Sequence, residues 1–125
     1  MTPGNINLGE AELEIMKVLW KAPEAVNSQY ISEAVKDRTW KRTTILTFLT
    51  RLVDKGALSA EKRGKSYYYT PLISQRDYRI IQTKNLITSL YNGSVRDFAV
   101  SFFEEQKVSD EDIKELRAIF NEQEE

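Results

Sequence analysis

Residues 41–56 have the sequence KRTTILTFLTRLVDKG, which follows the periodicity of an amphipathic helix. Its apolar residues share one helical face, and that face is expected to be buried. They are Ile45, Leu49 and Leu52, flanked by Phe48 and Val53. Gly56 is the residue type that ends a helix in the left-handed conformation. The sequence therefore predicts a helix from about Lys41 to Lys55.

The opposite arc of this helix is rich in threonine. The threonines are Thr43, Thr44, Thr47 and Thr50. Each threonine inside a helix costs roughly 0.5 kcal/mol relative to alanine, so helix stability does not explain the presence of four. A short hydroxyl side chain lets a helix approach DNA bases closely, and a threonine methyl can pack on thymine. The predicted base-contacting residues are Thr43, Thr44, Leu46 and Thr47. The alternative is that these residues form a surface with no selected role.

Two helices are predicted before this segment and a β-hairpin after it. The first helix spans Glu10 to Lys21, and the second follows the capping residue Asn27 and runs to about Lys36. Residues 58–62 and 66–70 are predicted strands, joined by the tip Arg63-Gly64-Lys65. Three helices followed by a hairpin is the order of a winged helix-turn-helix domain.

The segment from Lys36 to Lys65 is strongly basic, with nine Lys or Arg and three acidic residues, although the whole chain has a net charge of −1. Such a cluster favours a polyanionic partner, here double-stranded DNA. The predicted phosphate-contacting residues are Lys41, Arg42, Thr50, Arg51, Arg63, Lys65 and Tyr67. The alternative is a solvated basic surface.

Three further helices are predicted over residues 75–91, 95–104 and 110–122. Each begins with a serine followed three residues later by an aspartate, close to a capping box. Their apolar residues exceed what three short helices can bury, so a second copy of the chain is expected to cover them. The predicted dimerisation residues are Tyr78, Ile81, Leu86, Leu90, Phe98, Phe102, Ile113, Leu116 and Phe120.

The predicted fold is therefore mainly α with a small β-hairpin wing. Residues 1–73 are expected to form the winged-helix DNA-binding domain and residues 74–125 the helical dimerisation domain. The first segment has 11 basic and 8 acidic side chains, a balance of +3, and the second has 7 and 11, a balance of −4. The acidic segment would lie away from DNA phosphates.

Composition argues against an enzyme. The chain has no cysteine and no histidine, which removes thiol nucleophiles, Ser-His-Asp triads and zinc or copper sites built on those ligands. No acidic loop has calcium-site spacing, so we expect neither a metal nor a cofactor. No apolar segment approaches about 18 residues, and no secretion signal is evident, so a cytoplasmic protein without membrane contact is expected.

Several short motifs, in order and at the right spacing, resemble the penicillinase-repressor (BlaI/MecI) family of bacterial transcriptional repressors. The motifs are Leu8-Gly9-Glu10-Ala11-Glu12 with Ile15-Met16 and Leu19-Trp20, then Thr44, Leu49, Arg51-Leu52 and Lys55-Gly56, then Arg63-Gly64-Lys65 with Tyr67 and Tyr69, and finally Leu90-Tyr91-Asn92-Gly93-Ser94. The resemblance implies a dimeric repressor that binds dyads with TACA/TGTA-type half-sites. Thr43 and Leu46 stand where relatives can have basic residues.

The resemblance also implies how repression is relieved. In the antibiotic-responsive branch, a membrane sensor protease signals and the repressor is cut at an Asn-Phe bond in its dimerisation helices. The matching bond here is Ser101-Phe102, where the Phe is kept and the Asn is not. A copper-responsive branch uses C-terminal cysteines, which this chain lacks.

The function that the sequence favours is a sequence-specific, homodimeric repressor of antibiotic-resistance-type genes acting on a palindromic operator. The alternative is a winged-helix protein-interaction module that does not bind DNA. The basic excess between Lys36 and Lys65 favours the DNA-binding interpretation.

Overall fold

A computed structural model describes residues 6–105 and 108–123 and confirms the mainly helical fold with a hairpin wing. The elements are α1 (Glu10–Lys21), α2 (Ser28–Ala34), a 3₁₀ turn (Lys36–Arg38), α3 (Arg42–Asp54), β1 (Leu58–Arg63), β2 (Ser66–Pro71), α4 (Gln75–Tyr91), α5 (Val95–Glu105) and α6 (Asp110–Gln123). Most bounds lie within one or two residues of those predicted.

The connection between α2 and α3 differs from the prediction of a single helix to about Lys36. Val35 leaves the helical conformation, with φ −111° and ψ 23°, and its side chain is buried. The next three residues form the 3₁₀ turn, which ends at Thr39 in the left-handed conformation with φ 60°. This tighter path reverses the chain before Lys41, the N-cap of α3.

The hairpin is antiparallel, from Leu58 opposite Pro71 to Arg63 opposite Ser66. Arg63 therefore ends β1, and the loop contains only Gly64 and Lys65 instead of the predicted three residues. Gly64 has φ 66°, and glycine adopts a positive φ at the first position of a two-residue hairpin turn without steric cost.

The chain divides into two compact units, Met1–Ile81 and Gln82–Glu125, so the first unit extends beyond residue 73, where a domain boundary is expected from the sequence. The start of α4 accounts for the difference. Tyr78 is buried, and its ring lies 5.8 Å from that of Trp20, centroid to centroid. Ile81 packs against the same core. Tyr78 and Ile81, which the sequence assigns to a dimer surface, thus pack in or against the core of the first unit.

The core of the first unit is built around the apolar face of α3. Ile45, Leu49 and Leu52 are each exposed by 2% or less, and Phe48 and Val53 pack beside them, as predicted. Residues of α1, α2 and the hairpin complete this core, among them Ile15, Met16, Leu19, Ile31, Leu58 and Tyr69. Burying this face leaves the threonine-rich arc of α3 on the outside.

The second unit contrasts with the first, because none of its described side chains belongs to the buried hydrophobic core. Its aromatic residues contact one another: Phe98 lies 5.5 Å from Tyr91 and 6.1 Å from Phe102, centroid to centroid. Exposed apolar side chains are nevertheless spread over its three helices. They are Leu86, Leu90, Val95, Val100, Phe102, Phe103 and Ile119.

One ion pair links the start of α1 to the end of α3. Glu12, which is 7% exposed, accepts hydrogen bonds at Oε1 from the Gly9 N–H at 2.9 Å and from Lys55 Nζ at 2.7 Å. Lys55 also donates to the Asn7 carbonyl at 2.8 Å. Among the described residues, the other carboxylate oxygen, Oε2, is buried without a hydrogen-bond partner.

These contacts set the ionisation of Glu12. Burial disfavours the charged carboxylate, but the hydrogen bonds from Lys55 and Gly9 and the positive charges of Lys55 and Arg51 outweigh it. The pKa of Glu12 is therefore lowered from its ordinary value of 4.5. A lowered pKa means that the pair stabilises the fold above pH 4.5, and that this contribution is lost as the pH falls through the folded-state pKa.

Replacing Glu12 with Gln is expected to lower the free energy of unfolding by about 1 kcal/mol at pH 7, because a charged hydrogen bond to a partly exposed partner is lost. The difference from the unsubstituted protein should shrink as the pH falls through the lowered pKa of Glu12, because the carboxylate then becomes protonated. Urea unfolding at pH 7 and at a second pH below the folded-state pKa of Glu12 measures both values.

The matched control is Glu33→Gln, since Glu33 forms an exposed pair with Lys36 at 3.0 Å. That variant should change stability little at either pH. A Glu12→Gln effect that is equally large at both pH values would contradict the electrostatic role.

Candidate nucleic-acid interface

The predicted base-contacting arc of α3 is on the surface. Thr43, Leu46 and Thr47 are exposed, and Thr44 is half-buried at the edge of the core. Thr50 and Arg51 continue the exposed surface toward the end of the helix. Leu46 is 37% exposed, which leaves an apolar side chain among polar ones.

Two threonine hydroxyls on this arc are already committed to the helix backbone. Thr47 donates to the Thr43 carbonyl at 2.9 Å, and Thr50 donates to the Leu46 carbonyl at 3.0 Å. A hydroxyl has a single hydrogen to donate, so these two groups keep only acceptor capacity and a methyl group for a partner.

The basic residues of the segment 36–65 separate into two groups. Four form ion pairs: Lys36 with Glu33 at 3.0 Å, Arg38 with Glu14 at 3.0 Å, Lys55 with Glu12 at 2.7 Å and Arg63 with Glu61 at 3.3 Å. The charge of these four cations is partly balanced within the first unit, and the partner of Lys55 is buried. Five others are exposed and have no ion-pair partner within the described part of the chain. They are Lys41, Arg42, Arg51, Lys62 and Lys65.

The two faces of the wing differ in chemistry. On one face Arg63 bonds to Glu61 Oε2 at 3.3 Å, and its guanidinium carbon lies 5.0 Å from the centre of the Tyr68 ring. A cation over an aromatic face is held in position by the charge distribution of the ring. Arg63 is therefore preorganised at the wing, and Glu61 would compete with a phosphate for it.

The other wing face is turned toward α3. Ala60, Tyr67 and Tyr69 line a shallow groove whose opposite wall is formed by Thr50, Val53 and Asp54. Tyr69 is buried and burial raises its pKa, whereas Tyr67 is 51% exposed. The hydroxyl of Tyr67 is thus accessible next to the exposed arc of α3.

Lys62 was not among the residues expected from the sequence, although it lies directly opposite Tyr67 in the hairpin register. Residues opposite each other on paired strands present their side chains to the same face. Lys62 therefore lies on the face that carries Tyr67. In the sequence, the position of Lys62 next to Arg63 in a basic hairpin indicates the same phosphate-contacting role.

The predicted dimerisation residues of the second unit remain at or near the surface. Leu86, Leu90 and Phe102 are exposed by 41%, 71% and 44%, and Phe98, Ile113 and Leu116 are half-buried. The side chain of Phe120 lies outside the described part of the structure. The bond between Ser101 and Phe102 lies inside α5, where Ser101 Oγ is 3.2 Å from the Tyr91 hydroxyl.

Other types of site are not evident in the described residues. No group of three or more carboxylates there could hold a metal ion. No described helix is both long enough and apolar enough to cross a membrane.

Comparison with known proteins agrees with this geometry. The family model described as penicillinase repressor matches residues 8–122. The penicillinase repressor of Bacillus licheniformis is 38% identical over 115 residues, covering 92% of this chain and 90% of its own. The methicillin resistance regulatory protein MecI of Staphylococcus aureus strain N315 is 32% identical over 114 residues, covering 91% of this chain and 93% of its own.

Two solved structures resemble part of the chain. The solution structure of the DNA-binding domain of the repressor BlaI superposes with a TM-score of 0.52 at 40% identity, covering 58% of this chain and 88% of that one. Monomeric Bacillus licheniformis BlaI in complex with the blaP half-operator gives a TM-score of 0.50 at 40% identity, covering 58% and 89%.

The wing assignment can be tested through the salt dependence of binding to duplex DNA. Replacing Arg63 with Ala is expected to weaken binding to all sequences by a similar factor, because a phosphate contact does not depend on the base. The slope of log K against log salt concentration should fall by about 0.9 for one lost phosphate contact. Lys62→Ala should behave in the same way.

Lys36→Ala is the matched control, because Lys36 is exposed and lies in the 3₁₀ turn, outside α3 and the wing. Its salt slope should equal that of the unsubstituted protein. An unchanged slope for Arg63→Ala would remove this side chain from the interface.

Proposed function

Because the chain belongs to the penicillinase repressor family, we propose that it is a dimeric repressor whose two α3 helices bind the half-sites of a palindromic operator. Repression would be steric, through occupation of a promoter. The observation that carries the proposal is the outer surface of the first unit: an acid-poor, threonine-rich arc beside Lys41, Arg42 and Arg51, none of which has an ion-pair partner within the described residues.

The proposed contacts combine two roles. Thr43, Thr44, Leu46 and Thr47 would meet base edges in the major groove, while the unpaired cations, Arg63 and Tyr67 would hold the flanking phosphates. The relative that forms a complex with its half-operator, BlaI, is 40% identical over the matched region, which supports a DNA partner for this chain. Its relatives are named for penicillinase and methicillin resistance, and we propose target genes of that type.

The dimer is proposed from the second unit. Its described residues contribute nothing to the buried core, yet Leu90, Phe102 and Ile119 expose large apolar surfaces. A second copy would cover these side chains in an isologous interface. Two linked α3 helices would then bind an operator far more tightly than one, because the second half-site contact becomes intramolecular.

Relief of repression by proteolysis between Ser101 and Phe102 is proposed from the family resemblance. The bond lies in the middle of α5, so the helix would have to unwind before a protease could bind it in an extended conformation. Cleavage would separate α6 and the part of α5 that follows Ser101 from the rest of the second unit. A fragment ending at Ser101, detected by mass spectrometry after antibiotic exposure, would support this route.

The DNA-binding function is tested by selecting bound sequences from a random duplex library with the full chain at near-physiological salt. Enrichment of a palindrome with half-sites about one DNA turn apart is the expected result. Weak, salt-sensitive retention without enrichment would contradict the proposal and favour the protein-interaction module.

The dimer is tested by replacing Leu90 with Asp. A carboxylate buried without a partner costs several kcal/mol, so the dissociation constant of the dimer should rise by about 100-fold or more. Analytical ultracentrifugation measures the dimer, and operator titration should show a parallel loss of affinity.

Leu72→Asp is the matched control, since Leu72 is 58% exposed and lies in the first unit. It should leave the dimer intact. A Leu90→Asp chain that remains dimeric would exclude this surface from the interface.

A further inference from the structure

We propose that α3 recognises thymine chiefly through its 5-methyl group, so that the operator is distinguished by apolar contact more than by hydrogen bonds donated from the helix. This inference rests on the proposed function and specifies the base chemistry that the same surface selects. It concerns a stripe formed by Thr43, Leu46, Thr47 and Thr50.

The stripe is continuous along the helix. Its members are spaced by three, four and seven residues from Thr43, which places them on one helical face. All four are exposed. Each carries at least one methyl group, and Leu46 adds a larger apolar side chain that the fold does not bury.

The hydrogen-bond donors of the stripe are largely used up. The hydroxyls of Thr47 and Thr50 donate to the carbonyls of Thr43 and Leu46, at 2.9 and 3.0 Å. Both can still accept a hydrogen bond. Each of these two side chains can therefore offer a DNA base a methyl group and an acceptor oxygen.

The stripe also lacks the side chains that most often identify other bases. Guanine is typically recognised by the paired donors of Arg or Lys, and adenine by the amide of Asn or Gln. None of these types occurs among the four stripe residues. Thymine is the base that presents a methyl group in the major groove, so it is the one that an apolar stripe complements.

Charged side chains flank the stripe instead of interrupting it. Arg42 precedes Leu46 by four residues and Arg51 follows Thr47 by four, one helical turn in each case. Neither has an ion-pair partner in the described structure. A duplex is therefore the occupant that fits, with phosphates on the arginines and base methyls on the stripe.

The experiment begins with the palindrome recovered by selection and replaces its thymines, one at a time, with deoxyuridine. This change removes a methyl group and leaves every base-pairing group in place. At contacted positions the affinity of the full chain should fall by about four-fold, the value of one buried methyl group. Thymines outside the major-groove contact serve as internal controls and should show no loss.

A pair of variants assigns the methyl contact to the protein. Thr47→Ser keeps the hydroxyl and removes the methyl group, whereas Thr47→Val keeps a methyl group and removes the hydroxyl. The deoxyuridine penalty at the contacted position should disappear in Thr47→Ser and persist in Thr47→Val. Circular dichroism melting of both variants verifies that each is folded.

The outcomes separate this inference from the function on which it rests. A recovered palindrome that is bound equally well with every thymine replaced by deoxyuridine would overturn methyl recognition and leave the repressor proposal intact. A deoxyuridine penalty lost in Thr47→Val but kept in Thr47→Ser would also overturn it, in favour of the hydroxyl. Failure to recover any palindrome would overturn the repressor proposal itself.

Discussion

The burial of one face of α3 is the constraint on which the candidate site depends. Ile45, Leu49 and Leu52 are almost completely inaccessible, which fixes the rotation of the helix about its own axis. Once that rotation is fixed, the helical period determines which residues face outward. The ion pair between Lys55 and Glu12 then ties the end of α3 to the start of α1. The exposed threonine arc is the consequence of these contacts and not an independent feature.

Some cations of the first unit form ion pairs within the protein, and the others are exposed without an ion-pair partner among the described residues. Lys36, Arg38 and Lys55 form ion pairs with carboxylates of α1 and α2. The cations left over cluster on α3 and the wing. A count of basic residues overstates the charge available to a polyanion, because part of that charge is balanced within the protein. In the proposed interface, the positions of the unpaired cations matter as much as their number, because they decide which phosphates can be contacted.

Local signals in the sequence predicted most of the fold. The serine caps at Ser74, Ser94 and Ser109 each accept a hydrogen bond from the amide of the aspartate three residues later, at 3.0 to 3.1 Å. Such contacts span a few residues, so the sequence pattern contains them. The pairing of Glu12 with Lys55 spans 43 residues and has no local signature. For the same reason Tyr78 was expected at a dimer surface, since its packing on Trp20 depends on tertiary structure.

The lack of fully buried apolar side chains among the described residues of the second unit has a consequence for the abundance of the protein in a cell. Under the proposed dimer, each subunit completes its interior only in the presence of another, so its stability depends on how many copies are present. Subunits diluted by growth would expose apolar surface and be degraded faster than paired ones. The amount of repressor would then fall more steeply than dilution alone would cause. Transcription from the controlled promoter would therefore rise sharply once the repressor falls below a threshold concentration.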